Sequence, residues 1–186
     1  ILEKINNNTK AINLIGLCLF KEKNYQESLN YLHRGLEVDG EDLSLLNSVG
    51  EVYFELRNLK KSEEYYLKAL DIKADSYQTL NNVAGFYLET NESEKALILY
   101  QKALKLFPNE PTILGNIAKT YFSLNNNELA KKFSKKSLYI RSSASAHKLL
   151  SNVYLKEEKF SKAWEHFDGR LIEDNFINKN SSYNKI

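Results

Sequence analysis

The chain has 186 residues, of which 42% are hydrophobic and 27% charged, and its formal net charge is +2; it is long and apolar enough for a substantial core and too apolar to be disordered throughout. The longest apolar stretch, Ile12 to Phe20, falls well short of the roughly 20 residues a membrane-spanning helix needs. No export pattern opens the chain, and acidic and basic residues are interspersed as on a solvated helical surface, so the reading is a cytoplasmic protein with neither nucleic acid nor membrane as partner.

Methionine is absent, and residues 1–8, ILEKINNN, read as the end of a preceding repeat, so the chain is expected to be a fragment. From residue 9 a 34-residue frame takes over, with copies at 9–42, 43–76, 77–110 and 111–144 and a last one at 144–174 after a one-residue slip. Each copy carries two apolar stripes of helical period, which predict helices at 10–22, 25–38, 43–56, 59–73, 77–89, 93–106, 111–124, 127–140, 144–157 and 160–174. Asp42, Ser76 or Asp75, and Glu110 before Pro111 suit the openings of first helices, while Gly40 and Pro108 follow second helices. Cys18 is the only cysteine, which rules out an internal disulfide; among Leu17, Leu19 and Phe20 it reads as a small buried hydrophobe. From 175 to 186 the apolar period is lost and the composition is that of a polar linker or tail.

Small and large residues alternate in register. On first helices Gly16, Gly50, Ala84, Ala118 and Ser151 are followed three positions later by Leu19, Tyr53, Tyr87, Tyr121 and Tyr154. On second helices Ser28, Ser62, Ala96, Ala130 and Ala163 are followed four positions later by Leu32, Tyr66, Tyr100, Ser134 and Phe167, where Ser134 alone departs and weakens the fourth copy. A small residue admits a neighbouring backbone and the large one fills the adjoining gap. One helix pair cannot bury both of its apolar faces, so the copies must stack.

This pattern resembles the tetratricopeptide repeat, a 34-residue helix–turn–helix. The resemblance implies an all-α, right-handed superhelical solenoid of about five repeats, a single array rather than several globular domains, with first helices lining a concave side. If both ends are cut, the terminal repeats are uncapped and predict self-association.

No catalytic constellation, phosphate loop or zinc-ligand spacing is present, so the chain reads as a non-enzyme without metal or cofactor. His33, His147 and His166 fall at unrelated repeat positions, without a carboxylate or cysteine at a telling spacing. Function is better sought on the concave side, at the second, fifth, sixth, ninth and twelfth positions of each copy. These include Asn13, Asn47 and Asn81 at an interval of 34, Asn82 and Asn116 one position on, and Phe20, Phe54, Leu88, Phe122 and Leu155 deeper in. An amide both donates and accepts, so such a series suits the backbone of an extended peptide in a groove; the alternative is that Asn is simply abundant in this chain. Some tetratricopeptide domains clamp a terminal carboxylate with Lys, Asn and Arg on three successive repeats. The corresponding places here hold Asn13, Leu17, Ser48, Gln78 and Asn82, without the basic members, so binding of a chaperone tail is not expected. The Asn ladder of the nucleocytoplasmic sugar-transferring enzymes falls on Leu14, Ser48, Asn82, Asn116 and Leu149, a match at two of five.

Lys131, Lys132, Lys135 and Lys136 form a basic patch near Glu128, read as a solvated outer face. The last second helix, KFSKAWEHFDGRL, resembles the closing repeat of bacterial proteins in which such repeats precede a glycosyltransferase domain: Ala163 and Trp164, then Phe167 and Asp168, then Arg170. That resemblance implies a domain junction at Trp164, Phe167 and Arg170. The plain alternative is that the aromatics close the array and Arg170 faces solvent. Two readings of function follow: a non-catalytic scaffold for a protein or peptide partner, or the substrate-recruiting arm of a glycosyltransferase whose catalytic domain lies beyond residue 186.

Overall fold

The computed structural model describes residues 8–167, and among these every regular element is a helix. In chain order they are α1 (Thr9–Lys21), α2 (Tyr25–Val38), α3 (Leu43–Glu55), α4 (Leu59–Ile72), α5 (Tyr77–Glu89), α6 (Ser93–Leu106), α7 (Pro111–Ser123), α8 (Asn127–Ile140) and α9 (Ala144–Lys156), followed by helical residues 160–167. The ends of the predicted array, 1–7 and the part from 168 onward, including Arg170 and Asp168, lie outside the described residues. The helices group into two compact units, one ending at Glu89 and the other beginning at Thr90.

Helix starts are set by side-chain caps. Asp42 accepts from the backbone N–H of Ser44 and Leu45, Glu110 from Thr112, and Ser143 from Ala146, each satisfying donors that the first turn would leave orphaned. Helix ends have one recurrent device. Lys23, Arg57, Asn91, Asn125 and Glu158, all at the fifteenth position of their copies, adopt left-handed φ between 58° and 64°. Four of these turns return the next N–H to a carbonyl five residues back, as Asn58 does to Tyr53 at 2.9 Å and Asn126 to Tyr121 at 2.8 Å. This is the closure usually made by glycine, and it stops α3 at Glu55 and α7 at Ser123, one residue before the sequence pattern does.

In the first unit α1 pairs with α2 and α3 with α4 as helical hairpins, around a core of Leu29, Leu32, Leu45, Val49 and Val52, with Phe20, Tyr25, Leu36, Tyr53 and Tyr65 packed against it. The small–large rule shows its purpose here. A Cβ on Gly16 would stand 2.6 Å from Leu32, and one on Gly50 would stand 2.7 Å from the Tyr66 ring. The second helix is also tied by its small residue: Ser28 donates to the Gly16 carbonyl at 2.7 Å and Ser62 to that of Gly50 at 2.8 Å. Helix α5 adds buried Leu80, Val83 and Ala84, and its Tyr87 hydroxyl donates to Glu63 at 2.8 Å.

The second unit packs α6, α7, α8 and α9 around buried Tyr100, Ile113, Leu114, Ile117 and Ala118, and ends on Leu150, Tyr154 and Ala163 with Leu138 against them. Ser134 is fully buried and its hydroxyl has no hydrogen-bond partner.

Cys18 corrects one expectation, since it is exposed. The inward stripe of α1 is Ile12 and Gly16, and a residue two positions past Gly16 points to the opposite side at 100° per residue. Leu14, which is 63% exposed, shares that outer stripe.

Candidate functional site

The first helices carry the residues singled out in the sequence, and these residues do different things in the two units. In the first unit the amides are joined between repeats. Asn13 accepts from Ser48 at 2.8 Å, and Asn47 accepts from Asn82 at 3.4 Å, both across 35 residues. Asn47 also donates to the Leu43 carbonyl at 2.6 Å and to Thr79 Oγ1 at 3.1 Å. It is only 3% exposed, so its hydrogen-bonding capacity is used inside the fold. Asn81 and Asn82 are half-buried on α5. Phe54 meets Phe86 edge-on at 5.9 Å, and the Arg57 guanidinium lies over the Phe54 ring, 5.9 Å from its centroid.

In the second unit the inner faces of α7 and α9 bound a cleft of about 520 Å3. From α7 it is lined by Pro111, Thr112, Gly115, Asn116, Lys119 and Phe122, and from α9 and its cap by Ser143, Ser145, Ala146, Lys148, Leu149 and Asn152; Ser137 and Arg141 complete the lining. Asn116 and Phe122 are thus brought to one cavity, with Asn152 as a second amide. Lys119, Arg141 and Lys148 supply three cations to the lining, and none of the lining residues is acidic. The first turn of α9 opens there as well, capped by Ser143, so the positive end of that helix adds to the potential. Lys156 lies 5.6 Å from the Phe122 ring centroid and donates to Asn125 at 2.6 Å.

Sequence reasoning tracked amides and passed over these cations. Lys119 and Lys148 stand at the ninth and fifth positions of their copies, where sorting charges by repeat position would have found them. Arg141 lies beyond the end of α8 and only the folded chain brings it to the cleft.

The remaining candidates are placed apart from it. Lys131 is held between Glu128 and Glu157, at 2.7 Å from each, so the basic patch is partly neutralised; Lys132, Lys135 and Lys136 are exposed. The paired carboxylates hold the Lys131 ammonium above the usual lysine range, and the hydrogen bonds from Lys131 and Lys159 hold Glu157 below the usual carboxylate range. Trp164 is 59% exposed and meets Phe167 edge-on at 5.3 Å. His147 and His166, unrelated in repeat position, come together on neighbouring helices. No group of three or more metal-ligating side chains is found among the described residues, and none of the described helices is long and apolar enough to cross a membrane.

Residues 41–109 and 111–143 match sequence models of the tetratricopeptide repeat, together more than half of the chain. The chain belongs to the tetratricopeptide repeat family. No curated protein matches it significantly. Among solved structures, the repeats resemble PilF of Pseudomonas aeruginosa, with a TM-score of 0.80 at 23% identity over 88% of this chain and 75% of that one. They resemble a thermophilic tetratricopeptide protein of Thermus thermophilus, with a TM-score of 0.77 at 15% identity over 88% of this chain and 90% of that one. They also resemble MamA of Desulfovibrio magneticus, with a TM-score of 0.74 at 15% identity over 90% and 95%. At these identities the likeness carries the fold alone: an all-α tetratricopeptide solenoid.

Proposed function

We propose that this chain is a non-catalytic interaction module that holds an extended segment of a partner protein against the inner faces of its first helices. The observation that carries this is the cleft between α7 and α9, where two amides, a ring and three cations converge in one cavity. Its volume lies in the range of sites that enclose a small ligand or a short run of peptide, about 300–1,000 Å3. Asn116 and Asn152 can donate to and accept from a peptide backbone whatever its side chains, while Phe122 and Leu149 offer apolar surface. Within the first unit, Asn13, Asn47 and Asn82 are bonded between repeats and stiffen its first helices in this reading, while Asn81 and Phe54 remain groove candidates of that unit by repeat position.

The test is selection of random dodecamers on the immobilised chain, followed by binding to a Gly115→Trp variant. Gly115 lines the cleft, and a Cβ there would meet only Ser137 Oγ at 3.7 Å, so the indole fills the cavity without disturbing the core. Dodecamers that bind the native chain and not the variant support the groove; dodecamers that bind both equally place recognition elsewhere. The reading as a glycosyltransferase arm draws on residues 159–171 of the sequence alone, and the interaction module stands without it.

A further inference from the structure

We infer that His147 on α9 and His166 on the helical residues 160–167 form a binding site for one divalent transition-metal ion of the Ni2+ or Cu2+ class. The two side chains stand at the fourth and twenty-third positions of the last copy. The other four copies fill the same two places with Ile12 and Tyr31, Leu46 and Tyr65, Leu80 and Leu99, and Leu114 and Phe133. Ile12, Leu46, Leu80 and Leu114 are all buried. The last copy alone exchanges both members for imidazole, and the fold then sets the two Nδ1 atoms 3.0 Å apart. Packing by itself asks for neither nitrogen, since a polar ring taken from water costs more than the hydrocarbon it replaces unless its nitrogens are engaged.

The distance selects the geometry of the ion. Metal–imidazole bonds of about 2.0–2.1 Å drawn to nitrogens 3.0 Å apart meet at roughly 90–100°. That is the cis angle of a square-planar or octahedral ion, whereas a tetrahedral ion needs a separation of about 3.4 Å. Imidazole suits Ni2+ and Cu2+, which also stand high in the affinity order of divalent ions. The Tyr154 ring, itself buried, stacks on His166 with an interplanar angle of 7° and fixes that ligand's plane. Buried Ala163 lets the closing segment approach α9. Both imidazoles are half-buried, so water can reach the ion and complete its coordination; among the described residues no third His, Cys, Asp or Glu joins them. Glu165 and Lys135 act on His166 with opposite charges, and Lys162 lies over the Tyr154 ring, 6.0 Å from its centroid. The ion takes both Nδ1 lone pairs, so the ring that donates from Nδ1 in the free pair carries its proton on Nε2 instead.

The test is titration of the full, tag-free chain with NiCl2 at neutral pH, followed by calorimetry and by melting. One Ni2+ should bind per chain. At about a hundredfold excess over the measured Kd the melting midpoint should rise by about 5–10 °C, and the same concentration of Mg2+, which prefers oxygen ligands, should leave it unmoved. His147→Gln and His166→Gln should each lose the ion and the shift, and His33→Gln should keep both. The double change of His147→Leu with His166→Phe installs the pair that Leu114 and Phe133 make in the preceding copy, so it should fold as the native chain does and bind no Ni2+. No binding to the native chain, binding that survives in the double variant, or an equal shift with Mg2+ overturns the site.

Discussion

The Nδ1 atoms of His147 and His166 lie 3.0 Å apart, with the Tyr154 ring stacked on His166 at 5.7 Å and an interplanar angle of 7°. Two imidazole nitrogens at that distance share one proton, one ring donating and the other accepting; protonating the acceptor would set two N–H groups against each other. Partial burial, first, and His147, second, hold His166 below its ordinary value of 6.5, with Lys135 acting in the same direction and Glu165 against it. Because the folded value is the lower one, the unfolded chain takes up more protons as pH falls below 6.5. The contribution of His166 to stability is therefore complete above that pH and is lost as pH falls from 6.5 through the folded value. His33, lowered by burial and Lys61 against the pull of Glu37, adds to the same trend. Melting followed by circular dichroism should be level from pH 8 to 7 and fall between 6.5 and 5. A His147→Gln chain should lose less over that window; parallel curves for the two chains would remove the pair as the source.

Gly50 faces a rigid ring. A methyl there would stand 2.7 and 2.8 Å from two carbons of Tyr66. Overpacking costs about 1–3 kcal/mol, and the gain in helix propensity from Gly to Ala returns about 1 kcal/mol. Gly50→Ala should lower the melting temperature by a few degrees. In a Tyr66→Leu background the same change should be neutral or stabilising, and this non-additivity is the decisive reading.

Ser134 occupies the position where Leu32, Tyr66 and Tyr100 stand in other repeats, and its buried hydroxyl is unpartnered. A hydroxyl kept from water without a hydrogen bond costs about 1–3 kcal/mol. Ser134→Ala should thus raise the melting temperature, by about 2–4 °C per kcal/mol recovered for a chain of this size. A decrease would show that the hydroxyl is bonded in solution.

Asn47 and Asn116 should separate stability from binding. Asn47 is buried with both amide functions engaged, so Asn47→Ala should lower the urea midpoint at an unchanged slope, by an amount equivalent to about 1–3 kcal/mol, and leave binding of cleft-dependent dodecamers intact. Asn116 lines the cleft, so Asn116→Ala should weaken those dodecamers severalfold. Equal effects of the two changes on binding would overturn the assignment of binding to the cleft.

Much of the fold was legible because its determinants are local. The starts at Leu43, Tyr77, Pro111 and Ala144 follow from capping side chains and a 34-residue period, and the partnership of Gly50 with Tyr66 follows from small and large residues at matched positions. The fifteenth-position turns were less legible, since Lys23, Arg57 and Glu158 do the work usually signalled by glycine, at about 1–2 kcal/mol each for an L side chain in that region.

The candidate site was legible in part. Asn116 and Phe122 were named from their register, whereas Lys119, Arg141 and Lys148 were passed over, and Asn47 was read as groove lining although it is buried. By itself the sequence determined the all-α repeat and its period, because caps and apolar stripes act within a few residues of the chain. Only the tertiary structure decided that Cys18 is exposed, that His147 meets His166, and that three cations from separate elements share one cleft. Each of these depends on which side chains of other helices stand opposite, and a period along one chain does not encode that.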